Sequence, residues 1–103
     1  GAYNRTLYCL SKFGLEGLPK SMALDLAKHG IRVVTVAPTK TLVRPDEKKK
    51  TPSRLKIIKK KIPLNKFSTK SEIASIVYFL TSESAQSITG TSIISDGGWT
   101  AGK

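Results

Sequence analysis

From Leu15 to Pro38 the chain reads as an amphipathic helix, a glycine stop and an unbroken β-branched run. That order constrains the fold more than any other feature, because it is half of a β-α-β unit. Leu15, Leu18, Met22 and Leu26 recur at spacings of three, four and four. The spacing predicts one buried stripe on a helix from about Tyr8 to Lys28, with Asn4 or Thr6 as its cap. Ala23 and Ala27 add small residues that permit close packing. Gly30 follows Lys28 and His29 as a C-terminal stop, where those basic side chains suit the negative end of the helix dipole. Gly14, Gly17 and Pro19 lie inside the helix. Pro19 removes one backbone bond, which predicts a kink or a break between Leu15 and Pro19. Ile31 to Ala37, ending at Pro38, reads as a buried strand of a parallel sheet.

Downstream, residues 39–63 concentrate positive charge. Lys40, Arg44, Lys48, Lys49, Lys50, Arg54, Lys56, Lys59, Lys60 and Lys61 stand among Pro45, Pro52 and Pro63. Leu55, Ile58 and Ile62 predict a short amphipathic helix between Ser53 and Ile62. After the turn-like Ile62–Phe67, Ser68 or Thr69 starts a helix that ends near Ser82, with Ser71 and Glu72 in its first turn. Its apolar stripe is Ile73, Ile76, Val77 and Leu80. Ser84 to Gly90 is a loop, Thr91 to Ser95 a second strand, and Asp96-Gly97-Gly98 a turn.

The 103 residues hold one modest core, and 39% apolar with 24% charged residues is a globular balance. Two strands are fewer than a sheet of this kind contains, and no glycine-rich phosphate loop follows a first strand. The fold expectation is therefore α/β: the C-terminal part of a doubly wound parallel-sheet, Rossmann-like domain, with two strands and three to four helices. The chain also opens at Gly1 just ahead of a helix, as an internal piece of a larger protein would. A single cysteine, Cys9, excludes an intrachain disulfide and favours a reducing, cytoplasmic compartment. Cys9 and the sole histidine, His29, leave no metal-ligating cluster, and no metal is expected. No apolar run reaches the roughly 18 residues of a membrane span.

Chemistry concentrates at Tyr8-Cys9-Leu10-Ser11-Lys12. Four residues is just over one helical turn, so Tyr8 and Lys12 share a face. An ammonium near a phenol favours the phenolate, and the pair then suits acid/base work on a carbonyl or alcohol. The spacing is also met on ordinary helix surfaces, where a tyrosine packs along a lysine stem. His29 reads as a helix-end residue, Cys9 as a small packing residue and Trp99 as a packing or subunit-contact residue. The net charge of +11 raises a polyanionic partner, yet no aromatic residue interleaves the basic run. A basic nucleic-acid-binding segment, or a non-catalytic dimerisation module, stands as the alternative to an enzyme. The main expectation has no nucleic-acid and no membrane partner.

Taken together, Tyr8-x-x-x-Lys12, Ser21–Ala27, His29-Gly30-Ile31-Arg32-Val33, Val36-Ala37-Pro38, Thr89-Gly90-Thr91 and Asp96-Gly97-Gly98-Trp99 closely resemble the short-chain dehydrogenase/reductase family. Pro38-Thr39 and Pro63-Leu64-x-Lys66-Phe67 look like its L-xylulose reductase and tetrameric carbonyl reductase branch. The resemblance covers nearly the whole chain, residues 1–103, as the C-terminal part of one domain with 39–63 as a basic substrate lid. It implies an NAD(P)-dependent oxidoreductase that reduces a small dicarbonyl or ketose-like carbonyl, with NADP favoured by the branch alone. Tyr8 would be the general acid, and Lys12 would assist it and hold the nicotinamide ribose. Backbone groups at Pro38, Thr39 and Thr41 would meet the carboxamide. The helix from Tyr8, the helix from Ser71 and the strand at Thr91 would build a homodimer or homotetramer. The family's serine, asparagine and glycine-rich loop have no counterpart here, and Val43 stands where a threonine is common. The 103 residues alone are therefore expected to be inactive.

Overall fold

The computed structural model describes residues 3–41 and 52–102. Five main elements appear in order: α1 (Thr6–Leu26), β1 (Val34–Pro38), α2 (Pro52–Lys60), α3 (Lys70–Thr81) and β2 (Thr91–Ser95). Short 3-10 turns lie at Ala27–His29 and Glu83–Ala85. β1 and β2 pair in parallel as a two-stranded sheet. Among the described residues the pattern is mixed α/β with two strands and three helices, within the two strands and three to four helices that the sequence predicts. The part of the basic segment at 42–51, including Val43, lies outside the described residues. The chain divides into two compact units, Gly1–Thr35 with Leu80–Ile93 and Val36–Phe79 with Ile94–Lys103.

In the first unit, α1 starts at Thr6 behind Arg5, whose side chain makes no capping bond. Neither Asn4 nor Thr6 caps it, contrary to the sequence expectation. α1 also runs through Pro19 as a single helix. The break expected there is absent. Pro19 is buried beside Ala23, and that burial offsets part of the roughly 3 kcal/mol that an interior proline costs. Most of the expected stripe is not buried either: Leu15, Leu18 and Met22 are 46%, 54% and 37% exposed, and only Leu26 is half-buried. The small residues Pro19 and Ala23 fill that role. Close approach explains it, since a Cβ at Gly90 would stand 3.3 Å from the Ala23 Cβ. Only small side chains fit where α1 meets the start of β2.

Gly30 ends the helical segment in the left-handed region, at φ 69°, as the stop predicts. The Ile31 amide then bonds the Leu26 carbonyl at 3.3 Å. The Val33 amide is held by the Thr89 hydroxyl at 3.0 Å. The Val33 amide is thus taken by a side chain and not by the backbone of β2, and β1 begins at Val34 and not at Ile31. Pairing opens where the Gly90 amide donates to the Val33 carbonyl at 2.8 Å. The Arg32 guanidinium donates to the carbonyls of Ile88, at 3.1 Å, and Leu80. It thereby ties the entry of β1 to the end of α3 and to the loop before β2.

In the second unit, the ladder closes with the Thr39 amide on the Ser95 carbonyl at 3.1 Å. Ser68 extends this edge, bridging Thr41 in parallel and donating its hydroxyl to the Ser95 carbonyl at 3.0 Å. α2 starts at Pro52, a residue suited to a first helical position. It tightens at its end, where the Ile62 amide bonds the Lys59 carbonyl at 3.1 Å. Ile62 is 1% exposed and is the largest fully buried side chain among the described residues. A capping box opens α3: the Glu72 amide donates to the Thr69 hydroxyl at 3.1 Å, and the Thr69 amide donates back to the Glu72 carboxylate at 2.8 Å.

Candidate active site

Tyr8 and Lys12 occupy successive turns near the start of α1. The Lys12 ammonium lies 5.6 Å from the centre of the Tyr8 ring. The helical spacing therefore brings the two together, as the sequence predicts. A third residue joins them: the Arg5 guanidinium carbon lies 5.3 Å from the same ring centre. Arg5 is the N-cap residue of α1, three positions before Tyr8, and the sequence pattern does not single it out. Two cations near one phenol ring gain from its quadrupole. Tyr8 is 54% exposed, so a ligand can reach it. Among the described residues, none hydrogen-bonds the Tyr8 hydroxyl. Cys9 beside it is half-buried.

Of the residues expected to meet a cofactor, Pro38 is the exposed last residue of β1 and Thr39 is half-buried. The Thr39 amide is already committed to Ser95, and its carbonyl accepts the Thr41 hydroxyl at 3.2 Å. The Thr39 amide is thus not a free donor at this end of the strand. Pro38, Thr39 and Thr41 belong to the second unit, and Tyr8 and Lys12 to the first.

The second unit also contains the turn that closes β2. The Asp96 carboxylate accepts from the Gly98 amide at 2.8 Å, the Thr100 amide at 2.9 Å and the Thr100 hydroxyl at 2.6 Å. The Thr100 hydroxyl, with those amides, holds the Asp96 carboxyl below its usual range. Opposite the turn, the Leu64 amide donates to the Gly97 carbonyl at 3.0 Å. A cleft of about 420 Å³ lies beside it, lined by Ser68, Ser71, Ser75 and Ser95 among others. Its charged groups, Lys66 and Glu72, are paired with each other. That bond, followed by those from the Thr69 amide and hydroxyl, lowers the Glu72 carboxyl from 4.5 to about 2. Among the described residues there is no group of three His, Cys, Asp or Glu suited to a metal, and no helix long and apolar enough to cross a membrane.

The profile of a family described as enoyl-(acyl carrier protein) reductase matches residues 1–100. D-threitol dehydrogenase of Mycolicibacterium smegmatis is 39% identical over 93 residues, which cover 90% of this chain and 36% of that relative. L-xylulose reductase of Mesocricetus auratus is 34% identical over 97 residues, covering 93% of this chain and 40% of that relative. Among solved structures, 4-hydroxyisoleucine dehydrogenase complexed with NADH superposes with a TM-score of 0.85 at 35% identity, over 93% of this chain and 40% of the other. The chain thus spans well under half the length of these relatives.

Proposed function

Because the chain belongs to the short-chain dehydrogenase/reductase family, we propose that it carries the acid/base half of a nicotinamide-dependent carbonyl reductase site. The observation that carries this reading is the half-exposed Tyr8 phenol with Lys12 and Arg5 beside its ring. Tyr8 gives its proton to the carbonyl oxygen of a small dicarbonyl or ketose-like substrate as that oxygen becomes negative. In the reverse direction it takes the proton from the alcohol. Lys12 favours the phenolate left when Tyr8 has given up its proton, and holds ribose hydroxyls. Arg5 adds to the same field. A nicotinamide dinucleotide, when bound, supplies or accepts the hydride. The residues fit such a group: a phenol with no hydrogen-bond partner among the described residues and a neighbouring ammonium offer the donors that a ribose and a carbonyl oxygen need. Pro38 to Thr41, at the carboxyl end of a parallel strand, lie where open α/β sheets take ligands. NADP is the preferred form, on the branch resemblance alone. The NADH-bound relative supports a nicotinamide in general.

In this proposal residues 39–63, of which 42–51 lie outside the described residues, form the substrate lid, and the complete protein is cytoplasmic. It is a homodimer or homotetramer, and the exposed Leu7, Leu10, Phe13 and Leu24 on α1 supply apolar surface for such contacts. Alone, the 103 residues lack a partner serine and a glycine-rich loop and do not turn over substrate. An assay of nicotinamide-dependent carbonyl reduction tests this in the isolated chain and in the complete protein. Activity is expected only in the latter, and activity in neither would overturn the enzyme reading.

A further inference from the structure

The positive charge of this chain is not spread evenly. Between residues 40 and 61 there are ten lysines and arginines against two acids, Asp46 and Glu47. α2 carries no acid in its first turn and ends on Lys59 and Lys60. Lys56, Lys59 and Lys60 stand three and four residues apart, so they share one helix face, and all are exposed. Lys61 follows, also exposed. Among the described residues, none of these four lysines is ion-paired. Like charges at such spacings destabilise a helix by a few tenths of a kcal/mol per pair, and nothing within α2 offsets that.

The geometry fixes where this face is held. Leu55 and Ile58 are half-buried on the other side of α2, and Ile62 just beyond it is fully buried. A Cβ added to Gly97 would lie 2.6 Å from the Ile62 Cγ2, and one added to Gly98 would lie 3.1 Å from the Pro63 Cγ. The Leu64 amide bonds the Gly97 carbonyl. Gly97 lies two residues past the carboxyl end of β2. The end of α2 is therefore anchored at the carboxyl edge of a parallel sheet, the edge where open α/β sheets bind their ligands.

We infer that the substrate is anionic, a small alcohol or carbonyl compound bearing a carboxylate or a phosphate, drawn in by Lys56, Lys59, Lys60 and Lys61. This rests on the oxidoreductase reading for the reaction and adds the charge of the substrate. Unpaired lysines on one surface raise the local concentration of an anion and its rate of arrival, and salt screens the effect.

The test uses the complete protein at saturating nicotinamide cofactor. kcat/KM is measured for a small hydroxy acid and its methyl ester, and for a polyol phosphate and its free polyol, as salt rises from about 20 to about 300 mM. For one anionic member, kcat/KM falls about tenfold over this range, while its neutral counterpart changes less than twofold. Whether the carboxylate or the phosphate responds identifies the group. In the variant carrying Lys56→Gln, Lys59→Gln, Lys60→Gln and Lys61→Gln, the anionic-to-neutral ratio falls about tenfold and the salt dependence flattens. Equal salt responses of charged and neutral members, turnover of neutral members alone, or an unchanged ratio in the variant overturns the inference and leaves the oxidoreductase reading intact. Turnover of none, charged or neutral, overturns both.

Discussion

Replacing Gly97 with alanine probes the anchor that holds α2 at the sheet. Gly97 sits at φ 64°, and its missing Cβ would lie 2.6 Å from Cγ2 of Ile62, which is 1% exposed. Two terms add. An L-residue held in the left-handed region costs about 1–2 kcal/mol. Forcing a methyl into a packed contact costs about 1–3 kcal/mol, because Ile62 has no solvent side to move toward. The expected loss is about 2–5 kcal/mol, a large share of the 5–15 kcal/mol typical of a folded domain. Gly30→Ala is the control. Its φ is 69°, but nothing lies within 4 Å of its would-be Cβ. It bears the backbone term alone, about 1–2 kcal/mol. Equilibrium urea unfolding of both variants reads the difference as a shift in midpoint, provided the slopes match. Equal losses in the two variants would refute the packing of Ile62 on the Gly97 turn.

Three further outcomes are expected. Arg32→Met removes charged donors from the Leu80 and Ile88 carbonyls and lowers stability by about 2 kcal/mol, with faster hydrogen exchange at the Gly90 amide. Thr69→Ala removes the cap of α3 and costs about 1 kcal/mol in chemical denaturation. Because the folded Glu72 carboxyl is lowered from 4.5 to about 2, its contribution is full above pH 4.5 and is lost as pH falls through about 2. Glu72→Gln should flatten the acid limb of a stability-versus-pH curve in that window, and an unaltered limb would count against the Lys66–Glu72–Thr69 cluster.

Features set by local chemistry were legible in the sequence. The Gly30 stop, the Asp96-Gly97-Gly98 turn, the Thr91–Ser95 strand and the start of α3 each depend on a few adjacent residues, and each lies where the spacing puts it. Features set by neighbours distant in sequence were not. Ala23 was readable as a close-packing residue, but that Pro19 and Ala23 displace Leu15, Leu18 and Met22 from the buried face was not, because it follows from the close approach of Gly90. β1 starts late because Thr89 takes the Val33 amide. The continuity of α1 through Pro19 depends on burial that no periodicity reveals. At the candidate site, the Tyr8–Lys12 pairing was readable from helical spacing, whereas Arg5, the non-helical N-cap of α1, was not. That the Thr39 amide is spent on Ser95 required the register of the sheet.

The central claim is that the Tyr8 phenol transfers the proton, and Tyr8→Phe in the complete protein tests it most directly. The ring, and with it the contacts of Lys12 and Arg5, is retained, while the hydroxyl proposed to exchange the proton is removed. Turnover should fall by at least the factor of 10²–10⁴ typical of general acid catalysis, with nicotinamide binding, followed by fluorescence titration, changed less than severalfold. Retention of near-normal kcat by the phenylalanine variant would contradict the account.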